Sequence, residues 1–149
     1  MKIAIGNDTK GYDLKLFLME KLRQRGYEVE DAGCDSPLIP VDYPDFAFKV
    51  GQGVVSGKYD RGILICGTGI GMSIAANKIP GVRAALCYDV LPAVLTREHN
   101  DSNVLCTGGW IVTPEKAIEV AIQWLEMRYA GGAHQARLDK IANFEKLRP

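Results

Sequence analysis

Apolar positions along this chain follow two rhythms. Short continuous runs of aliphatic residues alternate with longer stretches in which apolar residues return every three or four positions. The runs Ile3–Gly6, Tyr27–Val29, Gly62–Cys66, Val82–Cys87 and Asn103–Cys106 predict five buried strands. Between them, Leu14, Leu16, Phe17, Leu18 and Leu22 fall largely on one helical face, which stops at Arg25-Gly26. Phe46–Val55 predicts a second helix, ending near Ser56-Gly57, and another starts inside or just after the glycines that follow Cys66. Val90–Arg97 predicts a helix beginning beside Asp89. Thr113-Pro114-Glu115 is a strong helix start: a capping hydroxyl, proline in the first turn, then an acid near the positive end. That helix runs to about Tyr129, Gly131-Gly132 breaks it, and a last amphipathic helix covers about 134–147. Gly33–Pro44, with three prolines, reads as a loop.

Strands alternating with helices imply a parallel sheet covered on both faces. The expected fold class is α/β: a three-layer α/β/α sandwich on a five-stranded parallel sheet, flavodoxin/Rossmann-like, as one domain over residues 1–149. Ligands of such folds sit beyond the carboxyl ends of the strands. That rule nominates Gly6 to Thr9, Cys66 to Gly71, Tyr88-Asp89 and Thr107 to Gly109. His99-Asn100-Asp101, just before the fifth strand, is expected to be able to turn toward the same edge.

Composition narrows the function. Eighteen basic and eighteen acidic residues leave a formal net charge of +0, without the basic footprint of a nucleic-acid or anionic-membrane binder. No run approaches the length of a membrane span, and MKIAIGND turns polar too soon for a signal peptide. The four cysteines are far apart and have no zinc-like spacing, and two histidines are few for a metal cluster. The expectation is a cytoplasmic protein with free thiols and no metal or cofactor. Cys87 and Cys106 read as small buried hydrophobes, and Cys34 as part of an exposed loop.

The chemistry concentrates at Cys66, where a buried strand ends and glycines follow at every second position. A core cysteine is the plainest reading of such a residue. Dinucleotide binding is excluded: Gly67, Gly69 and Gly71 do not form G-x-G-x-x-G, since Met72 holds the third place. A thiol phosphatase would need a basic residue closing the loop, where Met72 and Ser73 stand. A proton-shuttling or nucleophilic thiol fits better. A glycine loop entering a helix turns backbone N–H groups toward one spot. Such groups favour a thiolate and stabilise an oxyanion formed beside it, which suits proton abstraction next to a carbonyl through an enediolate.

The blocks IAIGNDTKGYDLK, VDYPDFA, DRGILICGTGIGMSIAANKIPGVRAA, REHNDSNVLCTGG and YAGGAHQARLDKI, in unbroken order over nearly the whole chain, resemble the B-type ribose-5-phosphate isomerases and the related galactose-6-phosphate isomerase subunits. The resemblance implies the same layer sandwich and metal-free interconversion of aldose and ketose phosphates. It also implies a homodimer or dimer of dimers with the site at the subunit interface, and a C-terminal helix packed on the partner. Carried over, Cys66 is the base that moves a proton between C1 and C2. Gly67, Gly69, Ile70 and Gly71 belong to the loop whose N–H groups hold the enediolate oxygen, and Thr68 adds its hydroxyl. His99 opens the sugar ring, and Asp8 binds sugar hydroxyls and assists. Thr9, Tyr43, Asn100 and Arg137 take substrate-binding places. Asp8 also reads as a simple helix cap, and Tyr43 as packing.

The departures from the family pattern share a theme. Thr9 stands where a histidine is usual, Trp110 and Ala133 where arginines are usual, and Arg137 remains of those cationic anchors. Lys10, Arg83, Arg97 or His134 are the residues able to replace the lost charge. Three readings stay open: a sugar-phosphate isomerase with a rearranged clamp, an isomerase of an unphosphorylated or differently charged sugar, and a non-catalytic sugar-binding or partner subunit.

Overall fold

The computed structural model describes residues 1–147; Arg148 and Pro149, the end of the expected domain, lie outside them. Five strands are formed by Lys2–Asn7 (β1), Glu28–Asp31 (β2), Arg61–Cys66 (β3), Ala84–Leu86 (β4) and Val104–Gly108 (β5). Six helices are formed by Tyr12–Gln24 (α1), Tyr43–Val55 (α2), Ile70–Ala76 (α3), Val90–Asn100 (α4), Pro114–Glu126 (α5) and Ala133–Glu145 (α6). A short 3₁₀ turn, Thr9–Gly11, joins β1 to α1. All strand pairs are parallel, in the order β2-β1-β3-β5-β4.

Alternation along the strands sorts the core into two layers. Ile3, Ile5, Ile63, Ile65 and Leu105 face α1, α4 and α5, where Leu18, Leu22, Ala93, Val120 and the fully buried Trp124 meet them. Ala4, Leu64, Cys66, Val104 and Cys106 face α2 and α3, against Val50, Met72 and Ala76. This is the expected sandwich. The strand order differs from the flavodoxin arrangement in its last two strands: β5 lies between β3 and β4. The swap brings the carboxyl ends of β1, β3 and β5 side by side. Ile65 pairs with both Asn7 and Thr107, and Cys66 pairs with Gly108.

Boundaries moved where local signals compete. The second helix starts at Tyr43, because Pro44 sits in its first turn, where no intrahelical N–H is missed. β4 shrinks to three residues at the sheet edge, and Asn77 closes that edge by accepting from Ala84 N–H and donating to Ala84 O, both at 2.9 Å. Thr113 caps α5 as expected, its hydroxyl accepting from Lys116 N–H at 3.2 Å. Of α6, Leu138 is the one buried residue, while Ile141 and Phe144 stand exposed. Among the described residues no helix is long and apolar enough to cross a membrane.

Candidate active site

Cys66 ends β3 with its side chain almost fully buried. Its sulfur accepts a hydrogen bond from Gly69 N–H at 3.0 Å. The turn that permits this needs a glycine, because residue 69 has φ +80° and a side chain there would meet the Thr107 carbonyl at 2.7 Å. The Ile70 N–H goes to Thr68 Oγ1 at 3.2 Å. The other two loop glycines admit aromatic rings: a Cβ on Gly67 would reach Trp110 at 2.7 Å, and one on Gly71 would reach Tyr43 at 2.7 Å. Trp110 and Tyr43 therefore wall the loop from its two sides. The loop is tied to the turn that follows β5 by Gly109 N–H to Cys66 O and Trp110 N–H to Gly67 O, both 2.9 Å.

Asp8 lies beside it, its own N–H bonded to Ile65 O at 3.2 Å. Its carboxylate accepts from Lys10 N–H at 2.9 Å and Gly11 N–H at 3.3 Å, so the capping role is real. Thr9 follows in the same turn, half-buried. Asp8, Thr9, Tyr43, Cys66, Thr68 and the loop glycines thus share one edge of the sheet.

His99 and Asn100 do not. Because every strand is parallel, α4 must run back from the carboxyl end of β4 to the amino end of β5. Its last turn sits at the opposite edge, where Arg83, just before β4, donates to Asn100 O at 3.1 Å. The expectation that His99 turns toward the Cys66 edge of its own chain is corrected by this topology. His99 instead stacks on His134 of α6, with ring centroids 4.3 Å apart and planes 14° from parallel. Glu98 Oε2 lies 3.8 Å from His99 Nε2. Arg137, one turn beyond His134, donates to Ala133 O at 2.8 Å. A second group, His99, Asn100, His134 and Arg137, is therefore assembled on the far edge.

Of the cations considered as substitutes, Arg83 and Arg97 are bound to Asp101 at 2.9 and 2.6 Å. Lys10 lines a hollow of about 330 Å³ with Trp110 and Gly109. Cys34 is buried rather than exposed: Asn7 Nδ2 donates to its sulfur at 3.2 Å, and the fully buried Lys15 bonds its carbonyl at 2.7 Å and the Asp31 carboxylate at 2.9 Å. Burial pushes the Cys87 thiol up to about 11 and the Cys106 thiol well above its ordinary value, as small core residues require.

Two residues with a place at these edges carried little signal in the sequence. His134 is an isolated histidine until α6 folds onto α4. Tyr88, nominated only as a strand end, donates from Oη to Thr68 O at 2.6 Å. Burial, and then the neighbouring Cys66 sulfur, raise its phenol above the usual range. Among the described residues no group of three or more His, Cys, Asp and Glu side chains is placed to hold a metal ion.

Comparison with known proteins covers almost the whole chain. A family described as Ribose/Galactose Isomerase matches residues 3–141. Ribose-5-phosphate isomerase B of Escherichia coli is 46% identical over 147 residues, covering 99% of this chain and 98% of that one. The structure of Clostridium thermocellum ribose-5-phosphate isomerase B superposes with a TM-score of 0.96 at 49% identity, covering 98% of each chain. That of the Mycoplasma genitalium enzyme with bound ribulose-5-phosphate gives 0.94 at 41% identity, covering 99% of this chain and 97% of that one. With the match running through both strand edges and every layer of the sandwich, the chain belongs to the ribose/galactose isomerase family.

Proposed function

We propose that this protein interconverts the aldose and ketose forms of a sugar phosphate of the ribose 5-phosphate class. The observation that carries the reading is the Cys66 sulfur, buried at a strand end and held by the Gly69 N–H at 3.0 Å. A thiolate there removes the proton beside the substrate carbonyl. The negative charge then leaves sulfur and appears on the enediolate oxygen. The loop amides around Cys66, with the Thr68 hydroxyl, serve both anions without large reorganisation, which is what lowers the barrier. Returning that proton to the adjacent carbon, while the proton of the neighbouring hydroxyl passes to the former carbonyl oxygen, completes the isomerisation and restores the thiolate. Asp8, fixed by its capping bonds, orients sugar hydroxyls, and Tyr43 flanks the ring.

Ring opening falls to His99, which lies on the opposite sheet edge of its own chain. A second copy supplies it: two chains placed edge to edge bring the partner copy's histidine-bearing edge to the Cys66 loop, and α6 packs on the partner. The same edge carries His134 and Arg137 as phosphate donors, which answers the loss of cations at positions 9, 110 and 133. A second reading, turnover of a sugar without phosphate, draws on Trp110, whose ring covers Gly67 on one side and stays exposed otherwise, a surface suited to the apolar side of a sugar ring.

Ketose formation from ribose 5-phosphate, ribose and allose by the purified protein separates these. Turnover on the phosphate alone supports the first reading. Turnover on the free sugars alone replaces it with the second. Inactivity on all three rejects both.

A further inference from the structure

One peptide unit of the glycine loop is held from both ends. The Thr68–Gly69 peptide offers its N–H to Cys66 Sγ at 3.0 Å and its carbonyl to the Tyr88 hydroxyl at 2.6 Å. In a trans peptide these two groups lie in one plane and point in opposite directions, so Cys66 and Tyr88 hold the peptide at its two opposite edges. If that plane turned over, the sulfur would face a carbonyl oxygen in place of an N–H. A thiolate would then meet a negative dipole end where it now meets a donor. On the Gly69 side such a rotation meets little resistance: Gly69 carries φ +80°, and glycine adopts either sign of φ readily. The orientation therefore depends on what grips the peptide from outside.

Tyr88 provides that grip. It leaves the carboxyl end of β4, next to β5, and the following Asp89 fixes the turn by accepting from Val90 N–H at 2.7 Å. The Tyr88 ring is half-buried, which limits the positions its hydroxyl can take. The 2.6 Å bond is short for an O–H···O contact. Hydrogen bonding to a peptide carbonyl also polarises the unit and makes its N–H a better donor. A phenol is a donor throughout neutral pH, and burial raises that of Tyr88 further.

We propose that Tyr88 is a positioning residue for Cys66, its hydroxyl orienting the Thr68–Gly69 peptide so that the Gly69 N–H is aimed at the sulfur. Tyr88 acts through the peptide and does not touch the substrate. The inference deepens the reading of Cys66 as the proton-transfer base and rests on it.

The test is Tyr88→Phe, which removes the hydroxyl and keeps the ring. Two measurements are needed, together with the melting midpoint. The first is kcat and KM on the sugar phosphate that the wild-type protein turns over. The second is the rate of Cys66 alkylation by iodoacetamide against pH, followed by the mass of the Cys66 peptide. We expect kcat to fall about tenfold, the loss of one well-made hydrogen bond, with KM within about twofold. The alkylation profile moves toward alkaline pH. A variant with a lowered melting midpoint but wild-type kcat and an unmoved alkylation profile overturns the proposal, because the hydroxyl would then be structural only. If the wild-type protein isomerises no sugar phosphate, the catalytic reading fails. The alkylation profile of Tyr88→Phe still decides whether the hydroxyl governs the thiol.

Discussion

Gly69 and Gly57 have nearly the same backbone, φ +80° and +79°, but different surroundings. Nothing lies within 4 Å of a Cβ built on Gly57, whereas one on Gly69 would meet Thr107 and Leu86 below 3 Å. Gly57→Ala therefore carries only the left-handed strain, about 1 kcal/mol. Gly69→Ala adds a clash with rigid backbone and costs about 3 kcal/mol or more, as denaturant unfolding of the two variants will read. For Cys66, replacement by Ala is expected to lower kcat by about a thousandfold or more while the melting curve stays close to wild type. A Cys66 that served only as core packing would leave kcat in place. The sequence already pointed to this residue, since a thiol ending an aliphatic run before alternating glycines is a local pattern. It could not show the Tyr88 hydroxyl against Thr68 O, because twenty residues separate the two and only the neighbouring ends of β3, β5 and β4 bring them together.

At the scale of elements, β2 is a four-residue strand at one edge of the sheet. Glu30 anchors it. Its carboxylate takes the Tyr59 hydroxyl at 2.6 Å and Lys58 at 2.9 Å, with Lys2 at 3.2 Å, and these donors, Tyr59 foremost, hold its pKa at about 2 against an ordinary 4.5. The unfolded chain therefore binds this proton more readily than the folded one between those values. The stabilisation is complete above pH 4.5 and disappears as pH falls through 2. Glu30→Gln should lower the melting midpoint at pH 6, and the difference from wild type should shrink steadily toward pH 2. For α5, Thr113→Ala removes the cap on Lys116 N–H and costs about 1 kcal/mol in denaturant unfolding. That helix start was legible because cap, proline and acid are adjacent. The start of α2 was not, because three prolines between 37 and 44 read as a breaker, although Pro44 fits the first helical turn. β2 was placed early for a related reason: its edge position lets polar Glu30 and Asp31 continue the strand.

For the whole molecule, the decisive feature is that Cys66 and His99 occupy opposite edges of one sheet. If two chains share each site, Cys66→Ala and His99→Ala are both inactive alone and complement when mixed. Equal amounts, unfolded together and refolded, form mixed dimers in half of the population, each with one intact site. Activity should return to about one quarter of wild type. No recovery on mixing would show that each chain acts with its own His99, against the two-chain site.

The sequence by itself determined the class of fold, the sequence of elements and the identity of the thiol loop. Each of these is encoded within a few consecutive residues: two-sided aliphatic runs, helical periodicity, caps, and glycines after Cys66. The tertiary structure alone decided the order β2-β1-β3-β5-β4, the separation of His99 from Cys66, the stacking of His99 on His134, and the hold of Tyr88 on the loop. Those depend on which distant strand pairs beside which. Parallel strands with aliphatic faces on both sides offer several neighbours of similar local pattern, and the choice among them is made by the packing of the whole sandwich.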